Sequence, residues 1–227
     1  MGDWGCEGRL QRLSTSSDTS WFSCSRIMDN PAILKWMWVG LAMYWLVAAR
    51  GTRNTEVSES VWFRVLRLGI LSVTFVFLLS PWLRVGWLGR RFVPESAVAR
   101  GAGLTLTAAG LLLCVWARRT LGDYWSDKVA LKVDHQLIRR GPYAHLRHPI
   151  YSGVLLAVAG TAVAIGEWRG LVALALLGAN YFVKAKREDR ILASRFGERF
   201  TEYKRQAGFL LPKWERGFQK SEIRLQK

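Results

Sequence analysis

The sequence predicts an all-α integral membrane protein of about five transmembrane helices, with a polar cytoplasmic segment before the last two and a C-terminal amphipathic helix. Half of the 227 residues are hydrophobic and 12 are Trp, a profile of membrane rather than cytosolic proteins. The apolar residues gather into long runs separated by polar stretches. The Lys and Arg residues give a formal net charge of +16, and they flank the apolar runs instead of forming one basic domain. Cations placed that way mark the cytoplasmic ends of inserted helices, so membrane lipids are expected as partners and nucleic acid is not.

Residues 1–30 are Ser/Thr-rich and lack the continuous apolar core of a secretory signal, so a disordered segment is expected there. Hydrophobic periodicity begins after Met28. That places the expected natural start at Met28, and removal of residues 1–27 should leave expression and activity intact. Cys6, Cys24 and Cys114 are odd in number without Cys-x-x-Cys spacing, which supports neither a disulfide framework nor a zinc site.

Residues 31–117 read as three transmembrane helices. Pro31 to Ala49 holds Trp36, Trp38 and Trp45 and is about long enough to cross the hydrocarbon core, with Pro31 suited to a helix start. Trp62 to Leu83 carries Arg64 and Arg67 near its beginning, where long side chains reach toward headgroups, and closes with Pro81-Trp82. Gly101 to Ala117, lengthened by Ala97 to Ala99, ends at Arg118-Arg119. Its Gly101-x-Gly103 opens an apolar helix instead of following a strand, which fits close helix packing and not a dinucleotide loop. Ile150 to Gly166 and Leu171 to Val183, separated by Glu167-Trp168-Arg169, form a tight helical hairpin.

Five helices place the termini on opposite sides. Arg118 to Arg147 carries seven Lys or Arg and the tail from Lys184 carries thirteen, so both are expected in the cytoplasm and the N-terminus outside. Arg84, Arg90, Arg91 and Arg100, in the loop this puts outside, run against the charge rule.

Two polar stretches carry chemistry. Arg118 to Pro149 is too polar for lipid, and its short alternating pieces suit a brief strand or hairpin. Gly141-Pro142 forces a turn there, and Pro149 keeps His148 out of a regular helix. Irregular backbone of this kind offers donors and acceptors that protein, water or a polar cofactor must satisfy. Lys184, Lys186, Arg187, Glu188 and Asp189 follow the last apolar run. After them Ile191, Leu192, Phe196, Phe200 and Tyr203 recur at the spacing of a surface amphipathic helix. Glu188 or Asp189 can hold an ammonium or a ribose hydroxyl, or balance neighbouring cations on a solvated face. His145 and His148 lie three apart without a further His or Cys cluster, so no metal site is expected. Arg147, Lys186 and Arg190 suit headgroup anchoring.

The units occur in a defined order: Leu-Gly-x-x-Trp-Ser, His-x-Leu-Ile, Gly-Pro-Tyr, Arg-His-Pro-x-Tyr-x-Gly, a helical hairpin, Glu-Asp, Phe-Gly-x-x-Phe-x-x-Tyr and Leu-Leu-Pro. In this order Arg118 to Pro212 resembles the isoprenylcysteine carboxyl methyltransferase family. The resemblance implies an integral-membrane, multi-pass methyltransferase of S-adenosylmethionine. Residues 118–212 would be its core, 213–227 a basic tail, and its cofactor-binding segment and catalytic site would face the cytoplasm. Carried over by position, the cofactor contacts fall on Lys128, His135, Gln136, Leu137, Ile138, Tyr143, His148, Pro149, Tyr151 and Glu188. Lys184 stands where the family places an acceptor-contacting Arg, and Arg187 is the second candidate, because a lysine offers a point charge without the arginine fork. The family's Glu-Glu pair is Glu188-Asp189 here. The implied acceptor is lipophilic, the carboxylate of a prenylated cysteine or a similar acid. A small thiol, a phospholipid amine, or a non-catalytic scaffold remain the alternatives.

Overall fold

The computed structural model describes residues 32–49, 61–122 and 137–213. Lys128, His135 and Gln136, the segment 1–30, Pro31 and the tail beyond Lys213 lie outside the described residues. Six α-helices organise the described chain: α1 (Ala32–Ala49), α2 (Val61–Leu79), α3 (Ala97–Leu121), α4 (Pro149–Ile165), α5 (Trp168–Phe196) and α6 (Glu198–Gln206). No named strand occurs among the described residues. By length and composition α3 is long and apolar enough to cross a membrane, and Ala32–Ala48, Val65–Leu79 and Pro149–Ile165 form shorter apolar helices.

Small residues set the centre of the bundle. Gly103, Thr107, Gly110 and Cys114 of α3 face Gly153, Ala157, Gly160 and Ala164 of α4, so the two backbones touch. A Cβ added at Gly153 would lie 2.7 Å from both Cys114 Sγ and the Gly110 carbonyl oxygen. One at Gly103 would lie 2.5 Å from the Ala164 nitrogen, whereas Gly101 has nothing within 4 Å. Of the two glycines in that motif, Gly103 alone packs a neighbouring helix. Thr107 Oγ1 and Thr161 Oγ1 are 3.2 Å apart across the seam, and Trp38 Nε1 of α1 donates to Thr161 Oγ1 at 3.2 Å. Such polar contacts hold apolar helices together where burial alone discriminates little between protein and lipid.

Helices α1 to α5 alternate in direction, and polar ties fix their two ends. At one end Arg118 donates to the Ala48 carbonyl at 2.6 Å and to the Gly122 carbonyl at 2.7 Å, joining the C-termini of α1 and α3. Cations there meet the negative ends of two helix dipoles. At the other end Arg169 donates Nη1 to the carbonyls of Phe77, Leu78 and Ser80 and Nε to Glu167 Oε2 at 2.5 Å, fastening the C-terminus of α2 to the α4–α5 turn. Arg84 completes this cluster through Glu167 at 2.9 Å. Arg91 and Arg100 both meet Glu95. Three of the four cations that run against the charge rule thus pair with local acids, Arg91 and Arg100 sharing Glu95 and Arg84 sharing Glu167 with Arg169.

Three expectations need correction. The charged cluster at 184–189 does not follow the last apolar helix. It lies within α5, which runs unbroken for 29 residues until Gly197, at φ +50°, ends it. The expected amphipathic helix is accordingly divided, with Ile191 to Phe196 on α5 and Phe200 and Tyr203 on α6. The brief strand is also absent between 137 and 148. In its place is a 3₁₀ turn at Gly141–Ala144 and one parallel bridge between Leu146 and Gly208. Arg67 is buried, 7% exposed, instead of extending to a headgroup layer.

Candidate functional site

The site forms where the loop entering α4 meets the stretch of α5 from Tyr181 to Asp189. Gly141, at φ +58°, opens the 3₁₀ turn, a conformation that favours glycine, and Pro142 follows with its φ already fixed. Tyr143 is then buried, and its carbonyl accepts the Tyr203 hydroxyl of α6 at 2.6 Å. Burial raises the Tyr203 phenol to about 12, which keeps it a donor. His148 caps α4 at φ −126°, ψ 57°, outside the helix as the following proline requires, and Pro149 takes the first helical position where no N–H is missed.

This geometry turns His148 inward. Its Nε2 lies 2.8 Å from Asp189 Oδ1 and its Nδ1 3.4 Å from Glu188 Oε2. One turn later the Tyr151 hydroxyl donates to Glu188 Oε1 at 2.5 Å. The His148 and Tyr151 rings stack at 5.6 Å, and Tyr151 stacks in turn on Tyr181 of α5 at 4.7 Å. Lys184, one turn before Glu188, places Nζ 5.1 Å from the centre of the Tyr151 ring. Tyr181, Lys184 and Glu188 recur at spacings of three and four, which aligns them on one face of α5.

The ionic state follows from these contacts. Burial disfavours a charge on His148, but its hydrogen bonds to Asp189 and Glu188 outweigh burial and raise its pKa above the ordinary 6.5. Burial likewise works against the Glu188 and Asp189 carboxylates. Hydrogen bonding to His148 nonetheless holds both below their ordinary values, helped by Lys184 at Glu188 and Arg147 at Asp189. Tyr143 is raised by burial first and then by the charge of Glu188, which places its phenol within electrostatic reach of the cluster.

Of the residues singled out from sequence, His148, Tyr151, Glu188 and Lys184 converge and Pro149 sets the angle of the helix that carries two of them. Arg187 sits half-buried beside Glu188 in sequence, about a quarter turn around α5. Leu137 packs against the cluster of Phe200, Tyr203 and Ala207, so its side chain serves α6, with half-buried Ile138 next to it. Sequence reading missed Tyr181, although the spacing to Lys184 and Glu188 carried the signal. It also missed Phe209, whose ring meets His148 edge-on at 5.2 Å, and it assigned Arg147 to the headgroups and left Asp189 open.

The described chain is thus a bundle of apolar helices joined by small residues, with an ionic and aromatic cluster at one end. Residues 103–194 match the model of the isoprenylcysteine carboxyl methyltransferase family, and that stretch is similar to it. Protein-S-isoprenylcysteine O-methyltransferase B of Arabidopsis thaliana is 30% identical over 104 residues, 44% of this chain and 53% of the relative. The protein-S-isoprenylcysteine O-methyltransferase of Schizosaccharomyces pombe is 30% identical over 94 residues, 40% of each. Cobalt-zinc-cadmium resistance protein CzcN of Cupriavidus metallidurans is 29% identical over 150 residues, 65% of this chain and 64% of the relative. The chain thus spans between two fifths and two thirds of the length of these relatives. The solved eukaryotic intramembrane Ras methyltransferase ICMT is 24% identical, covering 69% of this chain and 54% of that one at a TM-score of 0.43.

Proposed function

We propose that the chain is an integral-membrane methyltransferase of S-adenosylmethionine that O-methylates the carboxylate of a prenylated cysteine or a similar lipophilic acid. The observation that carries the cofactor assignment is the convergence of Glu188 with the Tyr151 and Tyr181 rings. A half-buried carboxylate beside stacked aromatic faces suits an amine-bearing cation, through charge-assisted hydrogen bonds and ring attraction. Two methyltransferases among the relatives carry the acid acceptor in their names. When bound, S-adenosylmethionine supplies an electrophilic methyl group on a sulfonium. Glu188 holds the cofactor's ammonium or hydroxyls, Tyr143 and Tyr151 provide walls, and the backbone around Leu137, Ile138, His148 and Pro149 offers further polar groups. Lys128, His135 and Gln136 complete the proposed set from outside the described residues.

A carboxylate acceptor is already anionic at neutral pH and needs an orienting cation but no general base. Lys184, with Arg187 as the second candidate, supplies it. Orientation and exclusion of water are then the protein's main contributions to rate. The same reading makes α1 to α4 and residues 171–183 of α5 five membrane spans, with the Arg118 and Glu188 end in the cytoplasm and the cations at 84–100 outside. Incubating membranes with methyl-labelled cofactor and separate prenylcysteine, small-thiol and phospholipid acceptors tests it. Labelling of the prenylcysteine as a base-labile ester is expected. Labelling confined to the thiol or amine would reject the acceptor, and purified protein that binds no S-adenosylmethionine would favour a scaffold.

A further inference from the structure

We propose that Asp189 and Arg147 are positioning residues that hold Glu188 in its binding geometry through His148, an inference that rests on the cofactor reading of Glu188. The His148 ring has both nitrogens against carboxylate oxygens, at 2.8 Å from Asp189 and 3.4 Å from Glu188. A neutral imidazole has one N–H and one lone pair, so only the imidazolium donates to both. The ring is therefore a rigid link between two carboxylates. Its far end is anchored. Asp189 Oδ2 lies 3.2 Å from Arg147 Nη2, with both side chains 9% exposed, so this pair is not screened as a surface pair would be.

Arg147 is itself fixed by the chain beyond α6. Its Nη1 donates to the Ala207 carbonyl at 2.8 Å, its backbone N–H to the Gly208 carbonyl at 2.8 Å, and its guanidinium lies 5.3 Å from the Phe209 ring centre. Phe209 also meets the His148 ring at 5.2 Å and restricts its rotation. Glu188 is then held from both sides, by His148 at Oε2 and Tyr151 at Oε1. It keeps a direction for its remaining lone pairs before any ligand arrives. Preorganisation of this kind is what supporting side chains contribute to a binding carboxylate.

Charges alternate along the chain Arg147, Asp189, His148, Glu188. The groups acting on this chain are Lys184 and the two carboxylates from α5, Arg147 and Tyr151 from the α4 side, and Lys204 of α6, whose charge bears on Asp189. Removing the Asp189 charge takes away what keeps His148 protonated, and the link to Glu188 is lost at a lower pH.

The test titrates the purified full-length protein with S-adenosylmethionine across about pH 5 to 8. Asp189→Asn is expected to weaken cofactor binding about tenfold, to move the alkaline loss of affinity to lower pH, and to leave the acceptor KM unchanged at saturating cofactor. Asp189→Glu should restore most of the affinity, and Arg147→Gln should weaken binding without the downward pH shift. Wild-type affinity in Asp189→Asn, or an alkaline limb that does not move, overturns the positioning role. Should the variants fail to fold, ring-nitrogen NMR of the wild-type protein, with the His148 signal assigned by its loss in His148→Gln, decides instead. A doubly protonated ring at neutral pH supports the link and a neutral ring overturns it. Wild-type protein that binds no cofactor overturns both this inference and the reading beneath it, whereas normal wild-type binding with an indifferent Asp189→Asn overturns the inference alone.

Discussion

Replacing Glu188 by Gln removes one negative charge and keeps the length of the side chain. The amide oxygen can still accept the Tyr151 hydroxyl that now reaches Glu188 Oε1 at 2.5 Å. The amide nitrogen then faces His148 Nδ1, where a donor meets a donor. A cation bound at this position loses a charge-assisted hydrogen bond, worth about 1.5 to 3 kcal/mol. The Glu188 side chain is 22% exposed, so little of that is discounted for solvent screening. The expected result is cofactor binding weakened by roughly tenfold to a hundredfold. Isothermal titration of the detergent-purified variant with S-adenosylmethionine measures it, with thermal unfolding as the control for integrity. A folded Glu188→Gln protein that binds the cofactor as the wild type does refutes the assignment of Glu188.

Three further outcomes follow from the same geometry. Gly153→Val should destabilise the bundle by about 1 to 3 kcal/mol or more because the α3–α4 seam has no room for a side chain, whereas Gly178→Ala, with open space around it, should be neutral or slightly stabilising; detergent thermal unfolding compares the two. Glu167→Gln leaves Arg169 buried with half its pairing gone and should lower stability by about 3 kcal/mol, while an Arg169→Met, Glu167→Gln double variant should lose less than the sum of the single changes. Stability should also depend on pH in a set direction. The lowered carboxylate at Glu188 contributes fully above its ordinary 4.5 and loses its contribution as pH falls through its folded value. The raised imidazole at His148 contributes fully below 6.5 and loses its contribution as pH rises through its folded value. Unfolding temperature should therefore be highest between those two values and fall on both sides, and His148→Gln should remove the alkaline fall.

What the sequence revealed about the fold depended on features local to the chain. Pro149 placed His148 outside a helix, Gly141-Pro142 made a turn, and the apolar runs marked α1 to α4 and the start of α5 within a few residues. The continuity of α5 was hidden because the charges at 184–189 read as an exit from the membrane. Nothing between Gly178 and Gly197 breaks a helix, however, and backbone hydrogen bonding carries it through the charged turns. The lack of a strand at residues 137–148 has a similar cause. Leu146 pairs with Gly208, which no local pattern announces, while Pro142 and Pro149 deprive the segment of donors for a longer ladder.

The candidate site divides the same way. His148, Tyr151 and Glu188 were legible because their types and spacing are distinctive, and the structure joins them through a Tyr151–Glu188 hydrogen bond and a His148–Glu188 ionic contact. Arg147 and Asp189 were not, because in a chain with 33 Lys and Arg residues any cation suits a headgroup and any acid suits a solvated face. Their pairing at 3.2 Å is a tertiary fact, set by where the segment after α6 fixes Arg147.

The most direct measurement is the binding of S-adenosylmethionine to the purified wild-type protein by isothermal titration. One saturable site per chain, displaced by the demethylated product of the cofactor, is the predicted result. Absence of saturable binding in a folded preparation would contradict a cofactor site at Glu188, His148 and Tyr151.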